Sequence, residues 1–261
     1  MVDYYILLII ITVIGLCYGS FINVLIYRIP NNISIIRPRS FCPKCNSPIP
    51  IYRNIPIISF ILQFGKCHNC RDRISLQYPA IEILTGFLWL YLMIVNGQTD
   101  IFNTVMSITI VSLLIPLAII DLKHLYFPLP LMILLIIAGI ILACNSKEAL
   151  IGMGIGLSFL SLIYLIAKLW FKVKKRQETP MGFGDILLII PLGAWLGPLG
   201  ILLCFFLSSL LALLIWTTLY ILKKFNFDQK MPFGPYLIGS SILIKLTNLD
   251  QLIFALISQI K

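Results

Sequence analysis

The chain has 261 residues, of which 59% are apolar and only 11% charged, and its mean hydropathy is +0.99. A water-soluble fold needs far more charge on its surface, so the composition excludes a soluble globular domain and predicts an all-α polytopic membrane protein. The net charge of +10 would point to nucleic acid only if the basic residues shared one soluble face, and their distribution along the chain argues against that.

Apolar runs near the twenty residues that cross ~30 Å of hydrocarbon as a helix recur throughout. The first occupies 4–26; it is too long for a removable signal peptide and has no basic stretch before it. The stretch 28–79, rich in Pro, Arg, Asn and Ser, cannot cross a membrane and is read as a soluble insert. Further spans are predicted at 80–96, 101–120, 129–145, 149–171, 184–197, 199–222 and 234–257. That makes about eight transmembrane helices, with seven as the alternative: the sixth is short and ends at Gly197-Pro198, and the eighth carries Lys245, Thr247, Asn248 and Asp250. The organisation expected is a first transmembrane helix (1–27), the insert (28–79) and a membrane domain (80–261).

Alternating spans sort the basic residues. One side receives the insert from Arg28 to Arg73, then Lys123, then Lys168, Lys172, Lys174, Lys175 and Arg176, then Lys223, Lys224 and Lys230; the other receives only Lys147, Lys245 and Lys261. The positive-inside rule then places the insert in the cytoplasm and the N-terminus outside. The positive charge is a topology signal, and no nucleic-acid partner is expected.

The insert contains Cys42-Pro-Lys-Cys45 and Cys67-His-Asn-Cys70, two knuckles that can each offer two thiolates to one tetrahedral zinc ion. A reducing cytosol argues against disulfides. Four thiolates leave no position for water, so the expected Zn2+ is structural. His68 and His124 are read as ordinary polar residues, and Cys17, Cys144 and Cys204, scattered in apolar spans, as small hydrophobic ones.

Only ten residues are acidic. Three of them mark the rims of spans: Glu82 opens the second, Asp121 closes the third, and Asp185 opens the sixth within Met181-Gly-Phe-Gly-Asp. Ionisable groups beside hydrocarbon are functional candidates. The topology, fixed from Lys and Arg alone, brings Asp121 and Asp185 to the same face. Two carboxylates held close in a medium of low dielectric share a proton, so one can act as base and the other as acid in peptide hydrolysis. Gly182 and Gly184 would let a substrate backbone approach Asp185. The structural alternative for Asp185 is a helix N-cap, whereas Asp121, at a helix C-terminus, has less structural reason to be there. Glu82 could equally be the buried partner of Arg71 or Arg73.

Several ordered motifs carry a resemblance: Gly19-Ser-Phe-Ile-Asn-Val-Leu-Ile-Tyr-Arg-Ile-Pro30; the two knuckles around Asn54-Ile-Pro-Ile-Ile-Ser59; Gly65-Lys-Cys67; Tyr78-Pro-Ala-Ile-Glu82; Asp121 with Pro128; Met181-Gly-Phe-Gly-Asp185; Gly193-Ala-Trp-Leu-Gly197; and Pro232-Phe-Gly-Pro235. In these the chain resembles bacterial type IV prepilin peptidases, which remove a leader from prepilins and N-methylate the new terminus. The resemblance implies that Asp121 and Asp185 are the catalytic aspartates and that the insert belongs to the methyl-transfer part. It also implies S-adenosylmethionine as methyl donor, a bacterial cell membrane, and prepilins or pilin-like secretion and competence proteins as substrates. Where the family commonly has Lys two residues after the second aspartate, this chain has Leu187; where it has Asp or Asn after the proline, this chain has Leu129. No glycine-rich nucleotide fingerprint is visible. The residues that hold the donor are therefore not legible, and Asn23 and Glu82, both in matching motifs, are the candidates. Readings from other classes are an ion-coupled transporter and a noncatalytic zinc-containing membrane scaffold. The transporter would need polar groups near the bilayer midplane, whereas the sequence concentrates them at one rim.

Overall fold

A computed structural model describes residues 2–97, 100–174, 182–223, 231–250 and 252–253. Lys175, Arg176, Met181, Lys224, Lys230, Lys261 and the last residues of the eighth predicted span, 254–257, lie outside the described residues. Helices dominate: α1 (Val2–Arg28), α2 (Ile58–Leu62), α3 (Gln77–Asn96), α4 (Ile101–His124), α5 (Leu129–Asn145), α6 (Lys147–Val173), α7 (Phe183–Ile221) and α8 (Gly234–Thr247). Among the described residues the extended pairings are two isolated bridges, Phe41 with Pro48 and Lys66 with Arg73.

Five of these helices, α1, α3, α4, α6 and α7, are long and apolar enough to cross a membrane, and α5 is a shorter apolar helix. Their outer faces fit a lipid solvent: Tyr5, Ile9 and Val13 on α1 are 62%, 64% and 52% exposed, which water would penalise and acyl chains do not. The chain is a multi-pass membrane protein. The sixth and seventh predicted spans form one 39-residue helix, α7, whose only non-helical residue is Gly197 (φ 74°, ψ −177°). Thirty-nine residues at ~1.5 Å each measure roughly 58 Å, about twice the hydrocarbon thickness, and the break at Gly197 divides α7 into a short piece, 183–196, and a membrane-length one, 198–221. The eighth predicted span is interrupted at Asn248, whose left-handed conformation ends α8, and helical conformation resumes at 249–250 and 252–253.

The chain divides into two compact units, Met1–Pro116 and Leu117–Lys261. The boundary falls at Pro116, inside α4. In the first unit α1 packs on α3 through glycines: a Cβ at Gly15 would lie 3.0 Å from the Gly86 Cα, and one at Gly19 would lie 2.7 Å from the Glu82 Cα. Gly15 and Gly19 form the small-xxx-small pattern by which helices approach closely in lipid. In the second unit α6 meets α7 in the same way. A Cβ at Gly152 would sit 2.7 Å from the Gly197 Cα, and one at Gly193 would sit 2.8 Å from the Met153 Cα. The Gly193 carbonyl and the Gly197 backbone therefore face the bare surface of α6 at Gly152. The Trp195 carbonyl accepts a hydrogen bond from the Lys245 Nζ of α8 at 3.3 Å. Cys204 of α7 and Ser240 of α8 pair at 3.2 Å, a buried polar contact between two otherwise apolar faces.

Candidate active site

In the second unit, Asp121 lies in the last turn of α4 and is 5% exposed. Leu125, with φ of 58°, turns the chain there, its N–H donating back to the Asp121 carbonyl at 2.9 Å. A tight return through Tyr126, Phe127 and Pro128 then opens α5. Asp185 is half-buried in the first turn of α7, with its N–H on the Gly182 carbonyl at 3.1 Å. The N-cap is Gly182, and it makes no side-chain cap bond. Asp185 therefore stands inside the helix, where the N-terminal dipole favours a carboxylate, and the N-cap alternative is corrected.

The two aspartates are brought to either side of the Phe127 ring. Phe127 and Gly234 organise the space around them, and neither stood out as a site residue in the sequence. A Cβ at Gly184 would meet the Phe127 Cδ2 at 2.6 Å; a Cβ at Gly234 would meet both the Phe127 ring and, at 2.7 Å, the Asp121 Oδ2. The ring thus fills the room left by two glycines, one beside each aspartate. Around Gly182, which is exposed, the Asp185 Oδ2 is the group within reach of an added Cβ, at 3.4 Å. The signal for Gly234 was the Pro-Phe-Gly-Pro motif, but its partner lies more than a hundred residues earlier in the sequence, beyond any local periodicity.

In the first unit the four predicted metal ligands converge. The Sγ atoms of Cys42, Cys45, Cys67 and Cys70 all lie within 4.8 Å of one another, and those of Cys42 and Cys70 are 3.9 Å apart. Zinc bound at ~2.3 Å to four tetrahedral sulfurs spaces them by roughly 3.8 Å, so the group fits the ion. The two knuckles are built alike. The Cys42 N–H donates to the Ser47 carbonyl and the Cys67 N–H to the Asp72 carbonyl, while Asn46 and Arg71 both take positive φ just after the second cysteine. Hydrogen bonds from the side chain and backbone of Ser47 hold the Cys45 thiol down at about 6. Cys70 receives a lowering backbone bond from Asp72, yet burial and the neighbouring sulfurs push it up to about 11. Four thiols crowded without a cation divide in this way, and a bound cation would let all four ionise.

Asn23 and Glu82 also lie in the first unit. Asn23 donates its amide to the carbonyls of Gly19 and Tyr78, at 3.2 and 3.1 Å, and its Oδ1 is buried without a partner. Glu82, 7% exposed, does not meet Arg71 or Arg73; its Oε2 accepts the Ile57 N–H at 2.8 Å, and Ser20 hydrogen-bonds it as well. Ile57 has φ of 61° and ψ of −51°, and the Ile58 N–H returns to the Pro56 carbonyl. This is the strained form of the γ-turn, centred on a β-branched residue and pinned by a buried carboxylate. Of the two readings the sequence left open for Glu82, the arginine partner is not found; the peptide N–H of a forced turn hydrogen-bonds it instead.

Residues 13–96 match the family model described as the bacterial peptidase A24 N-terminal domain, and residues 108–217 the one described as the type IV leader peptidase family. A Myxococcus xanthus protein named prepilin leader peptidase/N-methyltransferase is 40% identical over 200 residues, 73% of this chain and 57% of that protein. The chain thus spans little more than half of that relative. A Neisseria gonorrhoeae protein of the same name is 34% identical over 265 residues, 90% of this chain and 89% of that protein. An Escherichia coli O78:H11 protein named type 4 prepilin-like proteins leader peptide-processing enzyme is 31% identical, covering 87% of this chain and 88% of that one. No solved structure matches.

Proposed function

This chain belongs to the type IV leader peptidase family, a family of enzymes, and from that premise we propose that it is a membrane aspartic endopeptidase that removes the leader of prepilins and prepilin-like proteins and then N-methylates the new terminus. The observation that carries the peptidase reading is the convergence of Asp121 and Asp185 around Phe127 and Gly234. In the proposed reaction one aspartate, ionised, takes a proton from a water molecule as its oxygen adds to the scissile carbonyl. The other, protonated, hydrogen-bonds the carbonyl oxygen and then supplies the proton that lets the amine leave as the C–N bond breaks. The products are a carboxylic acid and an amine, which become carboxylate and ammonium by passing one proton between them, and the pair ends with the one proton it started with.

We assign the methyl-transfer part to the insert, 28–79, together with the helices it packs on, and the peptidase part to the membrane domain. Zn2+ held by Cys42, Cys45, Cys67 and Cys70 would fix the insert's two knuckles without touching substrate. S-adenosylmethionine, when bound, would supply the methyl group: its S–CH3 bond breaks, an N–CH3 bond forms, and the amine gives up one proton. The distribution of Lys and Arg supports an insert and an aspartate pair on the cytoplasmic face with the N-terminus outside. A substrate with an apolar N-terminal helix in the bilayer would then present its leader junction where water can enter.

The test incubates the purified protein with a prepilin substrate and S-adenosylmethionine and reads the product's mass. Leader loss plus one methyl is expected from the unaltered protein. Asp121→Asn and Asp185→Asn should each leave the leader attached while the protein still folds; full processing by either variant would sink the assignment.

A further inference from the structure

The first unit has an open, groove-like cavity of about 430 Å³ between α1 and the insert, within the size range of small-molecule sites. Ser20, Phe21, Val24 and Arg28 form its wall on α1, spaced as one face of a helix must be, and Ser40 and Asn54 are among the insert residues opposite. Arg28 is the anomaly. It is only 4% exposed, its Nη1 donates to the Ser34 carbonyl at 2.8 Å, its Nη2 donates to the Arg39 carbonyl at 3.2 Å, and the guanidinium lies 5.8 Å from the centre of the Phe41 ring. The ion pair among the described residues is Lys44 with Asp72, so no carboxylate among them neutralises Arg28. Two neutral carbonyls and an aromatic face hold the charge in place without cancelling it. Leaving such a charge buried is costly, and a guanidinium has five N–H donors, more than these carbonyls use.

A ligand that supplies the anion would resolve both. The proposed methyl transfer, on which this inference rests, needs a donor that carries an α-carboxylate on a nucleoside body, and no nucleotide-binding strand is present among the described residues. The cavity is lined both by a buried cation and by apolar side chains such as Phe21 and Val24. Its Ser20 wall is one hydrogen bond from Glu82, the carboxylate that pins the strained turn at Ile57. Strain of that kind gathers at ligand sites.

We propose that this cavity is the methyl-donor site and that Arg28 takes the donor's α-carboxylate. Bidentate recognition of a planar carboxylate is what a guanidinium does and a lysine ammonium does not. Ser20, on the same α1 wall, then ties the site to Glu82 behind it, and the insert residues face the ligand from the opposite side.

Calorimetry on the full chain in nanodiscs tests this with two ligands, S-adenosylhomocysteine and 5′-methylthioadenosine, which lacks the amino-acid end. Arg28→Gln should weaken the first roughly tenfold or more, the scale of a lost charged hydrogen bond, and leave the second within about twofold. Val24→Phe, which fills the cavity and keeps Arg28, should weaken both. Zinc content and gel-filtration behaviour report that each variant is folded, and if Arg28→Gln is not, Val24→Phe decides. Unaltered affinity in both variants overturns the site, as does equal loss of the two ligands in folded Arg28→Gln. Arg28-dependent displacement of ligand by phosphatidylglycerol in place of phosphatidylcholine would make it a lipid site and overturn the proposal too. No binding to the unaltered protein would instead sink the methyl-transfer reading beneath it.

Discussion

Gly234 stands against Asp121, and the contact limits what that position can hold. A methyl group there would press on the carboxylate at 2.7 Å and on the Phe127 ring, and overpacking of this kind costs about 1–3 kcal/mol when neighbours must move. Gly234→Ala is therefore expected to lower the rate of leader cleavage at least tenfold, on the order of 1.4 kcal/mol in the barrier. Gly239→Ala is the matched control, since a Cβ at Gly239 meets nothing within 4 Å, and it should cleave at the unaltered rate. A cleavage assay on both decides whether the Gly234 contact shapes the aspartate pair. The aspartates were legible because charge near hydrocarbon is rare and each marks a span end. Phe127 and Gly234 were not, because apolar and small residues are common everywhere in such a chain and only tertiary contact distinguishes them. Ile57 was equally hidden, since no residue pattern announces a strained turn around a β-branched side chain.

At the scale of elements, the hydropathy pattern located every long helix to within a few residues, because lipid imposes a length and an apolar composition on whatever crosses it. It read α7 as two spans, and the structure joins them through one residue. Gly197 holds a φ of 74° with open space where a Cβ would go. Gly197→Ala should therefore destabilise the second unit by about 1–2 kcal/mol through backbone conformation alone, readable as a lower midpoint in detergent unfolding. Gly19→Leu acts differently. Its side chain would collide with the α3 backbone at Glu82, so α1 must move away. Donor binding in the first unit should fall with it, which equilibrium dialysis would show; unchanged binding would mean that α1 and α3 need no close approach.

Across the whole molecule, the aspartate pair belongs to one compact unit and the thiolate cluster to the other. Removing zinc should thus expose the backbone of 28–79 to proteases while leaving the helices of the second unit intact. Limited proteolysis followed by mass spectrometry, with and without a strong chelator, checks this; cuts appearing first in 183–221 would contradict it. The division inside α4 at Pro116 could not be read from the sequence, because an apolar helix gives the same pattern whichever neighbours it packs against. The knuckles were legible because thiolate chemistry dictates their spacing. The partner of Glu82 was not, because a buried acid can be satisfied as well by a peptide N–H as by an arginine.

The lysine that reaches the break in α7 bears on how the chain is made. Lys245 follows α7 in the chain, so its hydrogen bond to the Trp195 carbonyl can form only when the final helix enters the bilayer. A chain stalled before α8 lacks that contact, and quality-control proteases that survey the membrane would meet α7 without it. A chain ended at Met231 should be degraded faster in pulse-chase than the full chain carrying Lys245→Met, which retains α8 and loses only this one bond.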